Sequence, residues 1–271
     1  MRILLQLSDL HFGRIDERLL APLVEAAASV KPDLVIVSGD LTQRARSKQF
    51  HAAKTFLNLL PGPQLIVPGN HDVPMHNPIA RFFYPLAGYR RHFSNDPEPS
   101  YQDEEIAVLG LNSSRSLTIQ DGRLNDQQIE RLVTVFGSVP HDITKILVCH
   151  HPFRLPPGAE NHRVVGGAAR VLAAMATCGA DVVLSGHLHT TFVGCSALQD
   201  DGTGRTILLS QAGTATSTRL RGQEASFNVL RIRAKTIEFQ PYVWETKQLG
   251  FVPGLTTVFH RETSGWAVVN D

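Results

Sequence analysis

Five short apolar runs along the chain end in the same way, each directly at a polar cluster. The runs read ILLQL, LVIV, LIVP, ILVC and VVL, and continuous Val/Ile/Leu runs of this length are typical of buried strands. Helix-like apolar spacing occurs in the intervening segments, around residues 17–30, 43–60, 125–137 and 167–178. This alternation predicts parallel βαβ units.

Three later runs are predicted to be antiparallel strands. They read IAVLGLN, TILLSQAG and the alternating SFNVLRIRAKTIEFQPYVW, the last a hairpin that turns near Arg233 to Lys235. These runs predict a second, mixed or antiparallel sheet packed on the first. One main domain is expected over residues 1–245, and the tail 246–271 leaves three alternatives open: a lid, a dimer contact that would make a homo-oligomer, or an edge strand.

The polar clusters that follow the five runs supply the candidate chemistry. Ligands of open α/β sheets bind beyond the carboxyl ends of the strands, so these clusters should converge. Together they contribute carboxylates, an amide and imidazoles, from Asp9, His11, Asp40, Asn70, His71, His150, His187 and His189. A mixed oxygen and nitrogen set favours Mn, Fe or Zn over Ca or Mg.

The size and charge of this set predict two metal ions. It holds more donors than one tetrahedral ion requires, and a carboxylate such as Asp40 can bridge two ions. Only Asp9 and Asp40 are anionic, so two divalent ions would leave a positive site. Such a site complements a phosphodiester and its transition state.

The composition of the chain restricts its possible binding partners and its cellular compartment. With 26 basic and 25 acidic residues the chain has no charge surplus, which predicts no stable binding to nucleic acid or to an anionic membrane. No apolar run approaches the roughly 20 residues of a membrane span. Three cysteines without a paired spacing favour a reducing compartment, and the opening MRILLQL is too short for a signal sequence. The chain is therefore predicted to be cytoplasmic.

In chain order the clusters read DxH, GD, GNHD, H and GHxH, and this order resembles the calcineurin-like metallophosphoesterases. The resemblance spans residues 9–189 and implies an α/β fold, a four-layer α/β/β/α sandwich of two mixed sheets with a dimetal site at the strand ends. It further implies one metal held by Asp9, His11, Asp40 and His189, and a second held by Asp40, Asn70, His150 and His187. His71 would lie over the substrate as general acid, while a hydroxide between the ions attacks phosphorus in line.

The words GDLTQR and PGNHD look closest to bacterial class III cyclic nucleotide phosphodiesterases and related glycerophosphodiesterases. This likeness implies a small phosphodiester substrate, with cyclic nucleotides such as cyclic 3′,5′-AMP ahead of glycerophosphodiesters. A phosphomonoesterase, a nucleotide-lipid pyrophosphatase and a scaffold without turnover are the alternatives. The GDxxDRG word of the related protein phosphatases is absent from the sequence, which argues against phosphoprotein substrates.

Substrate contacts are predicted at cations and amides on loops near the motifs. The candidates are Arg44, Asn112 and Arg115, where many members of the group have aspartate at the position of Asn112. His162 and Arg163 lie on another such loop, and Thr214 to Gly222 is a candidate rim loop. Solvated surface charge is the competing interpretation of these side chains.

Overall fold

Two β-sheets lie face to face at the centre of the computed structural model, which describes residues 1–196 and 204–269. In these residues the strands, in chain order, are β1 (Arg2–Leu7), β2 (Leu34–Ser38), β3 (Gln64–Val67), β4 (Ser100–Gln102), β5 (Ile106–Gly110), β6 (Thr144–Val148), β7 (Val182–Ser185), β8 (Phe192–Cys195), β9 (Leu208–Gln211), β10 (Ser226–Arg233), β11 (Thr236–Glu245), β12 (Gly250–Pro253), β13 (Thr257–Glu262) and β14 (Gly265–Val268). The helices are α1 (Leu20–Val30), α2 (Ser47–Leu57), α3 (Pro78–Phe83), α4 (Ala87–His92), α5 (Asp126–Gly137) and α6 (Ala168–Thr177). The four longer helices, α1, α2, α5 and α6, fall within the segments predicted from apolar spacing.

The first sheet has the strand order β14-β13-β11-β10-β1-β2-β3, with β12 paired to β11. Strands β1, β2 and β3 are parallel, whereas β10 runs antiparallel to β1. The hairpin of β10 and β11 turns after Arg233, which pairs with Thr236, as the sequence predicted. This hairpin therefore belongs to the same sheet as the first three motif strands, not to a separate one.

The second sheet has the order β4-β5-β6-β7-β9-β8. Its central strands β5, β6, β7 and β9 are parallel, and only the edge strands β4 and β8 pair antiparallel. The runs IAVLGLN and TILLSQAG form β5 and β9. The prediction that they are antiparallel was wrong for their pairing with β6 and β7, which is parallel, and holds only for their pairing with the edge strands β4 and β8. Both strands are buried along their whole length, and a buried run reads the same in either direction, so only the connections fix its orientation.

Helices cover the outer face of each sheet. Leu23 of α1 and Phe50 of α2 pack in one core with Leu5 and Val37 of the first sheet. A second outer core joins α5 and α6 to the other sheet, and a third lies between the two sheets, where Leu4 and other first-sheet residues meet second-sheet ones. These three cores separate four layers, so the α/β/β/α sandwich of two mixed sheets is confirmed.

The tail continues the first sheet, which is the edge-strand alternative. Strands β12 and β13 both pair with β11, at different parts of its length, and β14 pairs with β13 to form the edge of the sheet. Phe259 and Trp266 are buried, and the Trp266 indole donates a hydrogen bond of 3.1 Å to Asp181 of the second sheet. A dimer contact through residues 246–271, and a domain boundary at 245, remain predictions.

Among the helices of residues 1–196 and 204–269, none combines the length and the apolar character that crossing a membrane requires.

Candidate metal centre

All seven predicted metal ligands lie where the carboxyl ends of the two sheets meet. Those that follow strands β1, β2 and β3 of the first sheet are Asp9, His11, Asp40 and Asn70. Those that follow β6 and β7 of the second sheet are His150, His187 and His189. The site is thus built by both sheets, and neither sheet alone contains a complete set.

The first group of donors surrounds the imidazole of His11. Its Nε2 lies 3.1 Å from Nε2 of His189 and 3.5 Å from Oδ1 of Asp9, and the Asp9 and His189 atoms are 3.2 Å apart. Oδ2 of Asp40 is 3.6 Å from the same His11 atom. Donors that share one ion through bonds of about 2.1 Å are separated by about 3.0–3.5 Å, so this spacing fits a metal.

The second group of donors surrounds the imidazole of His150. Its Nε2 lies 3.0 Å from Oδ1 of Asn70 and 3.3 Å from both Nδ1 of His187 and Oδ2 of Asp40. Oδ1 of Asn70 is 3.1 Å from the His187 atom. Since Oδ2 of Asp40 also approaches His11, this carboxylate lies between the two groups, where a bridging ligand is required.

Neighbouring carbonyls orient two of the imidazoles as ligands. His189 donates from Nδ1 to the carbonyl of Arg219 over 2.7 Å, and His150 donates from Nδ1 to the carbonyl of Ser38 over 2.8 Å. Both bonds fix the tautomer whose Nε2 carries a lone pair towards the group. Oδ1 of Asp9 is buried and has no hydrogen-bond partner among residues 1–196 and 204–269. The donors therefore fit divalent ions of the first transition series.

The electrostatics of the two groups also favour a cation. Burial alone would raise the pKa of Asp40, but the surrounding histidines, His150 first, hold the pKa of this carboxyl far below its usual range. Burial, aided by the charge of His150, lowers the pKa of His187 to about 3. Despite burial, the carboxylate of Asp40 raises the pKa of His150 to about 9, so a proton on this ring balances the carboxylate, and a metal ion bound there would supply that positive charge instead.

The backbone at the ligands adopts an uncommon conformation. Five of them have φ in the left-handed region, at 53° for Asp9, 49° for His11, 54° for Asp40, 77° for His187 and 58° for His189. Asp and His tolerate this region better than most residues, yet such positions cost about 1–3 kcal/mol and cluster at functional sites. The tight turns bring two ligands from one strand end to the same centre.

Two glycines of the motifs are required by close approach. Gly39 has φ of 94°, and a Cβ there would lie 2.6 Å from Nδ1 of His150. A Cβ on Gly69 would lie 2.1 Å from Oδ1 of Asp40. Both distances are shorter than real Cβ contacts, so a side chain at either glycine would displace a ligand.

Asp72, the last residue of the GNHD cluster, ties two ligand loops together. Its carboxylate accepts hydrogen bonds from the backbone of Gly69 over 2.9 Å, Leu41 over 3.1 Å and Thr42 over 2.9 Å. Burial and the nearby charge of Asp40 raise its pKa to about 7. The loops that carry Asp40 and Asn70 are therefore held at a fixed distance.

His71 lies at the mouth of the centre. Its backbone N–H donates to Oδ1 of Asp40 over 2.8 Å, and its Nδ1 donates to the carbonyl of Gln43 over 2.9 Å. These bonds orient the ring so that Nε2 lies 3.0 Å from Nη1 of Arg219. The imidazole is thus positioned beside the metal groups, at the opening through which a substrate would enter.

The opening contains cations that the sequence reasoning did not select. A cavity of about 30 Å³ lies over the centre, lined by Asp40, Asn70, His71, Gln120, His162, His187, His189, Arg219 and Arg221. The candidate rim loop Thr214 to Gly222 does reach the site, and Arg219 and Arg221 are its contribution. Two arginines in the sequence TSTRLRG, on the loop that follows β9, were the signal that could have identified them.

The three predicted substrate contacts lie elsewhere. Arg44 is exposed and lines a separate cleft together with Arg14 and Arg46. Asn112 accepts a hydrogen bond from the backbone of Ser114, and Arg115 donates to Gln128 over 2.6 Å. None of the three lines the cavity over the metal groups, because these local bonds and loop directions hold them away from it. Substrate contacts at these three residues therefore stay predictions, and Arg219 and Arg221 are the cations that line the cavity.

Comparison with known proteins places the chain in a family. The sequence profile of the calcineurin-like phosphoesterases matches residues 2–191, which is more than half of the chain and includes every candidate ligand. The chain belongs to the calcineurin-like phosphoesterase family.

Relatives of this phosphoesterase support the same placement. A probable cyclic nucleotide phosphodiesterase of Synechococcus is 27% identical over 61% of this chain and 65% of its own length. The glycerophosphodiester phosphodiesterase GpdQ of Enterobacter lignolyticus is 31% identical over 60% of this chain and 64% of its own. The chain thus spans less than two thirds of the length of these relatives.

Solved structures agree on the fold. A dimetal phosphatase from Danio rerio superposes with a TM-score of 0.66 at 11% identity, over 93% of this chain and 98% of that one. At this identity the likeness concerns the fold alone, which is the same arrangement of two packed sheets.

Proposed function

We propose that this chain is a metal-dependent phosphodiesterase that hydrolyses small phosphodiesters, with cyclic nucleotides such as cyclic 3′,5′-AMP favoured over glycerophosphodiesters. The observation that carries the proposal is the pair of donor groups that share Asp40, whose Oδ2 lies 3.6 Å from one group's imidazole and 3.3 Å from the other's. Two ions held in this way would stabilise both the attacking and the leaving oxygen of an in-line displacement at phosphorus.

Each group has a complete ligand set in this proposal. The first ion would be held by Asp9, His11, Asp40 and His189, and the second by Asp40, Asn70, His150 and His187. When bound, the ions supply an acidified water and neutralise the negative charge that develops on the phosphoryl oxygens. The backbone carbonyls of Ser38 and Arg219 keep His150 and His189 oriented towards them.

Residues at the mouth complete the reaction. His71 is the proposed general acid: Gln43 fixes its Nδ1, and its Nε2, which accepts a hydrogen bond from Arg219 here, would take up a proton once Arg219 turns to the phosphate and would pass that proton to the leaving alkoxide. The guanidinium of Arg219, which now contacts that Nε2, is placed to donate to a non-bridging phosphoryl oxygen. Neutral substrates would gain nothing from this cation.

The choice of diester class rests on the relatives. The Synechococcus protein is named as a probable cyclic nucleotide phosphodiesterase and the Enterobacter protein as a glycerophosphodiester phosphodiesterase, at similar identity. Glycerophosphodiester hydrolysis is therefore the second candidate function.

A rate comparison tests the proposal. Metal-loaded protein would be assayed on bis-p-nitrophenyl phosphate, p-nitrophenyl phosphate, cyclic 3′,5′-AMP and glycerophosphoethanolamine, with a chelated sample beside it. We expect chelator-sensitive cleavage of the diesters in preference to the monoester. Replacement of His51, an exposed histidine on α2, should leave all rates unchanged and serves as the control. Preference for the monoester, or no cleavage of any of the four by the loaded protein, would contradict the proposal.

A further inference from the structure

A second cavity, of about 460 Å³, adjoins the metal centre and has no role in the chemistry described so far. One wall is the loop 156–159 and the other is formed by residues 188–192 and 221–223. His162 and Arg221 line both this cavity and the small one over the ions. The two cavities therefore meet at this pair of side chains.

The sizes of the two cavities divide a substrate into two parts. The cavity over the centre measures about 30 Å³ and has room for little beyond a reacting group. The adjoining cavity falls within the range of about 300–1,000 Å³ that holds drug-sized organic groups. A glycerol moiety would leave most of it empty, whereas a nucleoside would fill much of it.

The lining of the larger cavity offers both a stacking surface and hydrogen-bond donors. Phe192 is half-buried in its wall, beside apolar Pro156 and Leu188. Gln223 accepts the backbone N–H of Thr191 over 2.7 Å, and its amide nitrogen has no hydrogen-bond partner in the described part of the chain. Donors beside an aromatic ring suit a planar heterocycle rich in acceptor atoms.

Positive charge lies at the junction of the two cavities. Nη1 of Arg221 donates to Nε2 of His162 over 3.1 Å, and Arg219 makes the matching contact with His71. Neither arginine forms an ion pair with a carboxylate within residues 1–196 and 204–269. Both cations are thus available where the phosphate of a nucleotide would join the nucleoside.

We propose that the larger cavity is a nucleoside subsite, so that a nucleotide diester binds with its phosphate at the metal centre and its nucleoside in this cavity. The inference rests on the proposed phosphodiesterase function and narrows it to nucleotide substrates. Arg221 and His162 mark the boundary between the phosphate and the nucleoside.

The test narrows the cavity and measures binding apart from turnover. Ala159→Trp adds a bulky side chain on the loop wall, and Gln223→Leu removes the free amide donor. The probes are adenosine, by equilibrium dialysis, and the kcat/KM values for cyclic 3′,5′-AMP and glycerophosphoethanolamine. We expect both variants to weaken adenosine binding by about tenfold or more, and to lower the ratio of cyclic 3′,5′-AMP to glycerophosphoethanolamine turnover by a similar factor.

Controls separate this inference from the function on which it rests. Arg91→Gln changes an exposed arginine on α4, outside both cavities, and should alter neither binding nor the ratio. Unchanged thermal midpoints would confirm that the variants fold. If the wild type cleaves diesters but does not bind adenosine, or if both variants keep the wild-type ratio, the subsite is refuted while the phosphodiesterase proposal stands. If adenosine binds but no diester is cleaved, the phosphodiesterase proposal fails instead.

Discussion

Arg219→Gln is the substitution that most directly tests the contacts at the mouth of the centre. The guanidinium is half-buried, lies 3.0 Å from Nε2 of His71 and lines the cavity over the metal groups. Glutamine keeps a polar side chain, although a shorter one, and removes the charge. The backbone carbonyl of Arg219, which orients His189, is unaffected by the change.

The magnitude follows from the bond that is lost. A hydrogen bond to a charged group contributes about 1.5–3 kcal/mol. Since about 1.4 kcal/mol corresponds to a factor of ten, kcat/KM for a phosphodiester should fall by roughly 10- to 150-fold. Metal content should remain at the wild-type value, because every ligand and its orienting carbonyl is retained.

The assay measures kcat/KM on bis-p-nitrophenyl phosphate, the inhibition constant of inorganic phosphate and the metal content by mass spectrometry. Arg219→Lys, which restores a charge without the planar fork, should recover part of the loss. Arg91→Gln is the matched control, because Arg91 is exposed on α4, does not line the cavity over the metal groups, and its loss should leave the rate unchanged. A wild-type rate for Arg219→Gln, or a loss of metal, would refute the reasoning.

Three further predictions concern the ligands, a glycine and the stability of the fold. Asn70→Ala should lower metal content and abolish turnover, whereas His71→Ala should keep the metal and slow the reaction; metal loss in the His71 variant would contradict its assignment as general acid. Gly39→Ala should reduce both metal content and thermal midpoint, because its Cβ would lie 2.6 Å from the His150 ring and φ is 94°; an unchanged metal content would show that the turn adapts. Burial alone would raise the pKa of Asp103, but hydrogen bonds from the following backbone lower it, so its stabilisation is present above about pH 4 and is lost as pH falls through the lowered folded value. Asp103→Asn should therefore reduce the free energy of unfolding by about 1 kcal/mol at pH 7 and by less at pH 3, as denaturant titrations at the two pH values can measure.

The ligand positions could be predicted from sequence because they depend on local order. Each motif block directly follows a buried apolar run, and strand ends in such sheets meet at one edge, so Asp9 and His150 could be expected together although 141 positions separate them in the chain. The roles of these residues came from the family resemblance and remain proposals. The four main helices were also evident from apolar spacing alone.

The orientation of strands and loops could not be predicted in the same way. The runs of β5 and β9 are apolar throughout, and the direction of such a strand depends on the connection that leads to it. Arg44 follows the motif strand β2 and Arg219 follows β9, both on loops, and nothing in the residue type indicates which of them lines the cavity over the centre. Arg115 does not line the cavity because its guanidinium donates a hydrogen bond to Gln128, a contact that forms only in the folded chain.

Because the ligands come from both sheets, the supply of metal ions in the cell should affect the stability of the chain. Asp40 and Asn70 come from one sheet and His150 and His187 from the other, so an ion in this group would fasten the two halves of the sandwich to each other. By linkage, an ion present at 100 times its dissociation constant adds about 2.7 kcal/mol to the free energy of unfolding. Metal starvation would then lower not only turnover but also the lifetime of the chain against proteases, so that its abundance would follow the supply of the ion.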